Sequence, residues 1–309
     1  MNSKATANPI LTQTAVKFMH NASEFAGRAL FPTFSTNEQA SQYYVFDREN
    51  ALNIPTDIQR APGSSYKRSV MTLSDDSYAC KDYGHEEPVD DVEKAKYASA
   101  LDADRAAVTR STNIVMVNHE LRAKALATGA GVATSSPSTK WDAASADPIG
   151  DVDAVREVIH DNCGLDANTM VISRDVFNVL KELDVILQKI KYVQKGIVTA
   201  DLLAPIFSVE RIVVAGIVRN SAAEGQTVSP SKIWGDSVIL AHVNSAQDLK
   251  APNFGRTFNW SKMSGRAGMM VKSYRQEEVN SDVHRVAQYT DEKLVGAECG
   301  YHLSSVLTA

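Results

Sequence analysis

The segment PVDDVEKAKYASALDADRAAVTRSTNIVMVNHELRAKALAT, residues 88–128, decides how this chain is read. It is rich in alanine and carries no glycine or proline after Pro88, so local propensity favours one helix throughout. Pro88 suits the first helical position, where its missing N–H costs nothing, and Asp90, Asp91 and Glu93 complement the positive end of the helix dipole. Gly129 stands where such a helix stops. Ala100, Ala107, Ile114 and Leu121 recur every seventh residue, as do Leu101, Val108 and Val115, and the two columns form one narrow apolar stripe. At 1.5 Å per residue, roughly 40 residues span about 60 Å. A compact chain of 309 residues is a ball about 50 Å across. An unbroken helix therefore predicts a flat or elongated subunit that is completed by its copies. A helix kinked into two, or a coiled coil, would relieve the same conflict. The stripe lasts only about three heptads and leans on alanine, which is weak support for a coiled coil.

Upstream, Tyr43-Tyr44-Val45-Phe46 is strand-like. Tyr66, Arg68, Val70, Thr72 and Ser74 alternate with Lys67, Ser69, Met71, Leu73 and Asp75 in a second extended run. Asn50 to Ser65, with Pro55 and the turn Ala61-Pro62-Gly63-Ser64, lies between them. This predicts a long two-stranded hairpin with no face apolar enough to anchor it. An isolated hairpin is marginal in water, so a neighbouring subunit is expected to hold it. Residues 1–41 are polar, with a helix from about Thr12 to Ala26, and read as an arm that waits for a partner surface.

Downstream, residues 129–150 form a loop rich in small residues around Trp141. Helix and strand then alternate. Asp151 is expected to cap a helix with Val152, Val155, Val158 and Ile159 on its apolar face. Thr169 to Ser173 reads as a buried strand, and Asp175 to Ile190 as helix with a break near Leu183-Asp184. Thr199 caps a short helix reaching Phe207, and Arg211 to Val218 and Ile233 to Val243 are strands. From Asn253 the chain is nearly all β, with runs ending near Trp260, Tyr274, Tyr289 and Leu307 and turns at Ser264-Gly265 and Asp291-Glu292. The fold class is α+β.

Composition excludes several function classes. A net charge of −5, from 32 basic and 37 acidic residues, argues against a surface built to grip nucleic acid. Cys80, Cys163 and Cys299 are odd in number and lack CxxC spacing, so they read as three reduced, partly buried thiols in a reducing compartment. No stretch approaches the ~18 apolar residues of a membrane helix, and the N-terminus has no secretory h-region.

Motifs of chemistry are mostly fragments. Gly129-Ala130-Gly131 lacks the third glycine of a dinucleotide loop and follows a helix instead of a strand. His119-Glu120 begins HExxH, but Ala123 stands at the second histidine position, which leaves a polar pair on the helix. His160, Asp161 and Cys163 are close in sequence only, and His160 suits a helix C-terminus stopped by Gly164. Arg256, Lys262, Arg266, Lys272 and Arg275, with Glu277 and Glu278 following, read as a solvated charged face. There is no GxSxG elbow and no P-loop. No catalytic, cofactor-binding or metal-ligating residue is assigned, and the chain is expected not to be an enzyme.

The order of elements carries a resemblance. So do local phrases: Asn168 to Ser173 leading into Val176, Phe177 and Leu180; Ile190-Lys191-Tyr192; Gly196 to Thr199; Leu202-Leu203; and Ile206-Phe207. Ile212-Val213-Val214, Ile233-Trp234-Gly235 before Val238-Ile239-Leu240-Ala241, Trp260 and Gly300-Tyr301 complete the set. Over essentially its whole length the chain resembles the major capsid proteins of tailed DNA phages, with their Hong Kong 97-type capsid fold. The resemblance implies an N-terminal arm (1–41), an extended hairpin loop (42–86) and a peripheral domain with a spine helix (87–149). It further implies an axial domain (150–250) and returning strands of the peripheral domain (251–309). It implies a structural subunit that assembles as hexamers and pentamers into an icosahedral shell around double-stranded DNA, contacted non-specifically. No cofactor and no membrane are implied. Because the hairpin starts near Tyr43, a separate scaffolding protein is expected, together with a portal, and assembly in the host cytoplasm. The loop 129–150 and the hairpin base near Gly84 are the expected hinges. Lys67 lies in the hairpin, but no matching asparagine and glutamate are named, so crosslinking chemistry is not carried over. The alternatives are an encapsulin-like cargo shell and, from another class, a homo-oligomeric α+β enzyme.

Overall fold

The computed structural model describes residues 6–21, 23–45, 52, 56, 58–68, 74–96, 100–190, 198–249, 251–265 and 268–308. The chain begins with β1 (Thr6–Ala7), α1 (Pro9–Asn21), the short α2 (Gly27–Leu30) and β2 (Thr33–Thr36). Asn8 caps α1, its side-chain oxygen accepting the N–H groups of Ile10 and Leu11 at 3.1 and 3.2 Å. This segment does not wait for a partner. Thr6 and Ala7 pair with Ser273 and Lys272, and Leu11 and Ala15 are buried in one cluster with Val108, Val115 and Val271. The surface that receives the arm comes from distant parts of the chain, which local patterning does not reveal.

The expected hairpin is present as β3 (Ala40–Val45) paired antiparallel with β4 (Ser74–Ala79). Its second strand begins later than the alternation suggested: residues 66–68 carry no strand, and 69–73 lie outside the described residues, as do parts of the tip. Its base is also better anchored than expected. Tyr43 and Tyr78 are buried beside Phe258, and the Tyr78 ring stacks on Phe258 with centroids 4.2 Å apart.

The long helix does not start at Pro88. The chain runs as β5 (Lys81–Asp90), then α3 (Asp91–Lys96), then α4 (Ala100–Ala127), with 97–99 outside the described residues. Pro88 sits inside an edge strand, where the N–H it lacks is not required by a neighbour. Tyr83, His85, Glu87 and Val89 turn inward while Asp82, Gly84, Glu86 and Pro88 are exposed. That period of two was masked because most of the inward residues are polar. The 28 residues of α4 are about 42 Å long, so the helix fits the ball, and its length alone does not require an elongated subunit.

The middle of the chain keeps its predicted alternation of helix and strand with shorter elements: the helix after Thr199 ends at Leu203, and the strands expected over Arg211–Val218 and Ile233–Val243 form at Arg211–Ala215 and Val238–Ala241. It comprises β6 (Ala133–Ser135), α5 (Pro148–Cys163), β7 (Thr169–Ser173), α6 (Arg174–Glu182), α7 (Asp184–Ile190) and α8 (Ala200–Leu203). Then come β8 (Arg211–Ala215), the small hairpin β9 (Val218–Asn220) and β10 (Pro230–Lys232), and β11 (Val238–Ala241). Asp147, not Asp151, caps α5 by accepting the Gly150 N–H at 3.1 Å, and Val158 points outward. The break between α6 and α7 falls at Leu183, as expected. Ile190-Lys191-Tyr192 and Gly196 run into residues 191–197, outside those described.

The last part consists of β12 (Gly255–Trp260), α9 (Ser261–Ser264), β13 (Met270–Gln276), β14 (Ser281–Leu294) and β15 (Gly300–Leu303). Asp291-Glu292 is no turn: β14 runs through it, pairing with β13 and then β12 on one side and with β5 on the other. The result is a six-stranded sheet, β1-β13-β14-β12-β2 with β5 beside β14, and a five-stranded sheet, β6-β15-β11-β7-β8. Helix α4 lies on β14 and β5, and α1 lies on α4. The main core surrounds the five-stranded sheet and reaches Phe31, Ala123, Ala127 and Phe254 at the junction.

Candidate functional site

The junction of the sheets is polar at its centre. Glu120, on α4 and fully buried, accepts N–H bonds from Ala26 at 2.8 Å, Gly27 at 2.7 Å and the Trp234 indole at 2.6 Å. Burial pushes its carboxyl pKa up, and the three donors and Arg28 oppose that shift. Arg122 grips Glu292 of β14 with two bonds, of 2.7 and 3.1 Å, and its guanidinium lies 3.7 Å from the centre of the Tyr83 ring. Burial pushes Glu292 upward, but Arg122 and His119 prevail and hold it below the usual carboxylate range. Burial drives His119 down to about 4, so at neutral pH it is an uncharged ring 3.3 Å from Thr257 Oγ1 and 3.5 Å from Glu292. Burial also lowers the Arg28 guanidinium to about 10, against Glu292 and Glu120, so it remains a cation. Every group here answers another, so the arrangement binds α2, α4, β12, β14 and the Trp234 loop together. His119-Glu120, set aside as a failed metal motif, is the keystone. The legible signal was two ionisable residues on the inward side of an otherwise small and apolar stripe.

A second chain of contacts has the order of a catalytic triad. Ser273 Oγ lies 2.9 Å from His284 Nδ1, and His284 Nε2 lies 2.9 Å from Asp104. Catalysis also needs space for a reacting atom and donors for its developing charge. Ser273 and His284 are instead cross-strand neighbours inside the six-stranded sheet, with β1 paired along β13 at Ser273. Asp104 is further tied to Lys94 at 3.1 Å, and Lys94 to Asp282. The chain therefore braces α3 and α4 against β13 and β14. His302 touches Ser237 at 3.2 Å and Thr134 at 3.3 Å, with no carboxylate in line. A cleft of about 650 Å³ is lined by Asp153, Arg156, Glu157, His160, Asp161 and their neighbours, and another of about 520 Å³ by Asp90, Val92, Glu93 and Lys96. Neither includes either serine. Among the described residues no cluster is arranged to hold a metal ion, and no helix is long and apolar enough to cross a membrane.

The remaining residues singled out by sequence are dispersed. Gly129 closes α4, its N–H bonded to the Leu126 carbonyl. Gly164 is a left-handed cap at φ 70° on α5, donating to His160. Arg256 does not belong to a solvated face: it is buried, with one guanidinium N–H bonded to the Ala246 carbonyl at 2.8 Å. Arg275 pairs with Asp91, Lys262 is exposed, and Arg266 lies outside the described residues. Both expected hinges hold packed residues in this structure. Gly84 is paired within β5, where a Cβ would meet the Val286 carbonyl at 3.0 Å. Trp141, in the 129–150 loop, is fully buried and donates to Asp151 at 2.8 Å.

Unsatisfied apolar surface lies elsewhere. Ile58 and Tyr66, on the chain between β3 and β4, are 74% and 72% exposed, and Leu52 of the same stretch and Tyr44 on β3 are exposed as well. Val218 and Val228 are exposed on the β9–β10 hairpin. Projections of this kind mark contact surfaces.

No family model matches the chain. It is 27% identical over 310 residues, 97% of this chain and 96% of the relative, to the major capsid protein of Burkholderia phage BcepMu. A crystal structure of a phage-related protein from Bordetella bronchiseptica RB50 superposes with a TM-score of 0.76 at 22% identity, covering 99% of this chain and 100% of that one. The mature capsid of bacteriophage PhiM1 gives a TM-score of 0.52 at 12% identity, over 90% of this chain and 86% of that one. Sequence similarity along nearly the full length and a shared arrangement of elements lead to the same place: this chain resembles the phage major capsid proteins and has the Hong Kong 97-type capsid fold.

Proposed function

We propose that this chain is the structural subunit of an icosahedral phage capsid, joining many copies of itself as hexamers and pentamers around double-stranded DNA, and that it performs no catalysis. The observation that carries the proposal is similarity along nearly the full length to a phage major capsid protein. The outward apolar residues between β3 and β4 add to it. In this reading residues 42–86 reach over a neighbour, 150–250 form the axial domain, and 87–149 with 251–309 form the peripheral domain. Residues 1–41 dock alongside the peripheral part. Strands β6 and β15, joined to the sheet of β7, β8 and β11, fasten the two domains. A separate scaffolding protein and a portal complete the assembly in the host cytoplasm, and DNA is met without sequence preference, consistent with a net charge of −5.

The test is expression of the full chain, alone and with the scaffolding protein encoded beside it, followed by negative-stain microscopy and analysis of contents. The expected result is closed particles hundreds of ångströms across. Deletion of residues 50–65 is expected to leave soluble subunits and no shells. A compact monomer under all conditions overturns the reading, and particles filled with a cargo protein instead of nucleic acid support the nanocompartment alternative.

A further inference from the structure

Residues 58–68, IQRAPGSSYKR, hold three cations, Arg60, Lys67 and Arg68, and no acidic residue, in a chain whose net charge is −5. Every residue of the segment is exposed, yet it has a shape of its own. Ala61-Pro62-Gly63-Ser64 is a turn closed by the Ser64 N–H on the Ala61 carbonyl at 3.1 Å, with proline second and Gly63 third at φ 83°, the residue pattern of a type II turn. Ser64 Oγ donates to the same carbonyl at 2.8 Å. Arg60 Nη1 donates to the Ser64 carbonyl at 3.1 Å, and its guanidinium lies 5.0 Å from the centre of the Tyr66 ring. Ile58 and Tyr66 face solvent. The segment is therefore a preformed knob, apolar and cationic, whose surface is left outside the core. Arginine and tyrosine in such a place are typical interface anchors, and a knob already folded loses little conformational freedom on docking.

A complementary surface stands on the same chain, where β5 passes into α3. The cleft of about 520 Å³ there is lined by Asp90, Val92, Glu93 and Lys96, and Val92 is 64% exposed. The neighbouring charges of α3 are taken: Asp91 by Arg275, at 2.7 and 2.6 Å, and Lys94 by Asp104 and Asp282. Asp90 accepts the Val92 N–H at 2.7 Å, and among the described residues no cation pairs with Asp90 or Glu93. Two carboxylates against one ammonium leave the cleft negative around an apolar side chain, the inverse of the knob. The cleft beside α5 does not match it, because its lining residues are all polar and Asp153 and Asp166 are already met by Arg156 and His160. Ile58, Tyr66 and Val92 are all uncovered in the single chain, so the knob does not fill the cleft of its own copy.

We propose that the knob of one copy docks in the Val92 cleft of a second copy, Ile58 and Tyr66 closing over Val92 while Arg60 and Arg68 face Asp90 and Glu93. This names the surface on which the neighbour receives the segment between β3 and β4, and it rests on the capsid reading for the presence of that neighbour. Each chain carries both halves, so the contact is head-to-tail, and a docked copy still offers its own knob or cleft to the next. The apolar centre supplies the burial, and the opposite charges fix the register and speed the encounter.

The first test mixes two full-length variants, Ile58→Cys and Val92→Cys, before assembly and treats them with a short bis-maleimide, the native cysteines being buried. The expected product is a linked peptide that joins position 58 of one copy to position 92 of another. Ile58→Cys mixed with Val218→Cys, exposed on the β9–β10 hairpin, should give none. The second test reverses charge. Arg68→Glu and Glu93→Arg should each lower particle yield about tenfold, because like charges then meet in the contact, with the subunit melting within about 2 °C of wild type. The chain that carries both changes should regain most of the yield, as should a mixture of the two single variants. Wild-type shells without the 58–92 link, or a charge swap that assembles no better than the single variants, overturn the docking and leave the capsid reading standing. A 58–92 link in protein that forms only small oligomers keeps the docking and overturns the capsid reading. Neither shells nor link overturns both.

Discussion

At the scale of single residues, His119 makes stability depend on pH. Its ring is held at about 4 against roughly 6.5 in an unfolded chain. Between those values the unfolded state binds a proton that the native state refuses, so stability falls as pH drops from about 7 to 4, by up to about 3 kcal/mol. Glu292, held low, adds a loss as pH falls through its folded pKa, while Glu120, held high, offsets part of the total. Denaturant titrations of the unassembled subunit at pH 7 and pH 5 are expected to show this decline, and His119→Gln to flatten it. An unchanged slope in the variant would mean that another group governs the effect. Glu120 itself answers two backbone N–H groups and an indole. Glu120→Ala leaves three buried donors without an acceptor and is expected to cost about 4 kcal/mol, with Glu120→Gln costing about half as much. Thermal melts of soluble protein distinguish the two, and equal midpoints would remove the keystone role.

At the scale of elements, two strands begin with a glycine because an aromatic ring lies flat on the backbone. A Cβ on Gly255 would come within 2.4 Å of the Phe31 ring, and one on Gly300 within 2.3 Å of Phe254. Those rings themselves meet at 5.6 Å between centroids, where the two sheets join. Gly255→Ala or Gly300→Ala is expected to cost about 2–3 kcal/mol by forcing a packed core apart. At Gly131 the nearest atom to a new Cβ is 3.8 Å away, and Gly131→Ala should stay within about 0.5 kcal/mol of wild type. Soluble yield and melting temperature across the three variants check the ranking. Element legibility varied with the same physics. α6, α7 and β7 were readable because their apolar periodicity is strong and local. β5 was not, because its inward residues Tyr83, His85 and Glu87 are mostly polar and are satisfied by Ser111, Arg110 and Arg122, partners more than twenty residues away.

At the scale of the molecule, the arm, the hairpin base and α4 all find partners within the chain, so the surface left for assembly is narrower than a free arm and a free rod would provide. Among the described residues the most exposed large apolar side chains, Ile58 and Tyr66, lie between β3 and β4. Ile58→Asp together with Tyr66→Asp is therefore expected to leave the melting temperature of the subunit unchanged within about 2 °C, since neither side chain is in the core, while particle yield by negative stain falls at least tenfold. Normal shells from that variant would move the principal contact elsewhere.

Propensity and periodicity were enough for the α+β class, and the order of elements with its local phrases carried the resemblance to capsid proteins, because these are local properties that survive without coordinates. Where the long helix starts, where the arm lies, and what His119 and Glu120 do were settled by contacts across the chain. A polar residue is placed by its partner, and Trp234 and Glu292 stand more than a hundred residues from the helix they lock.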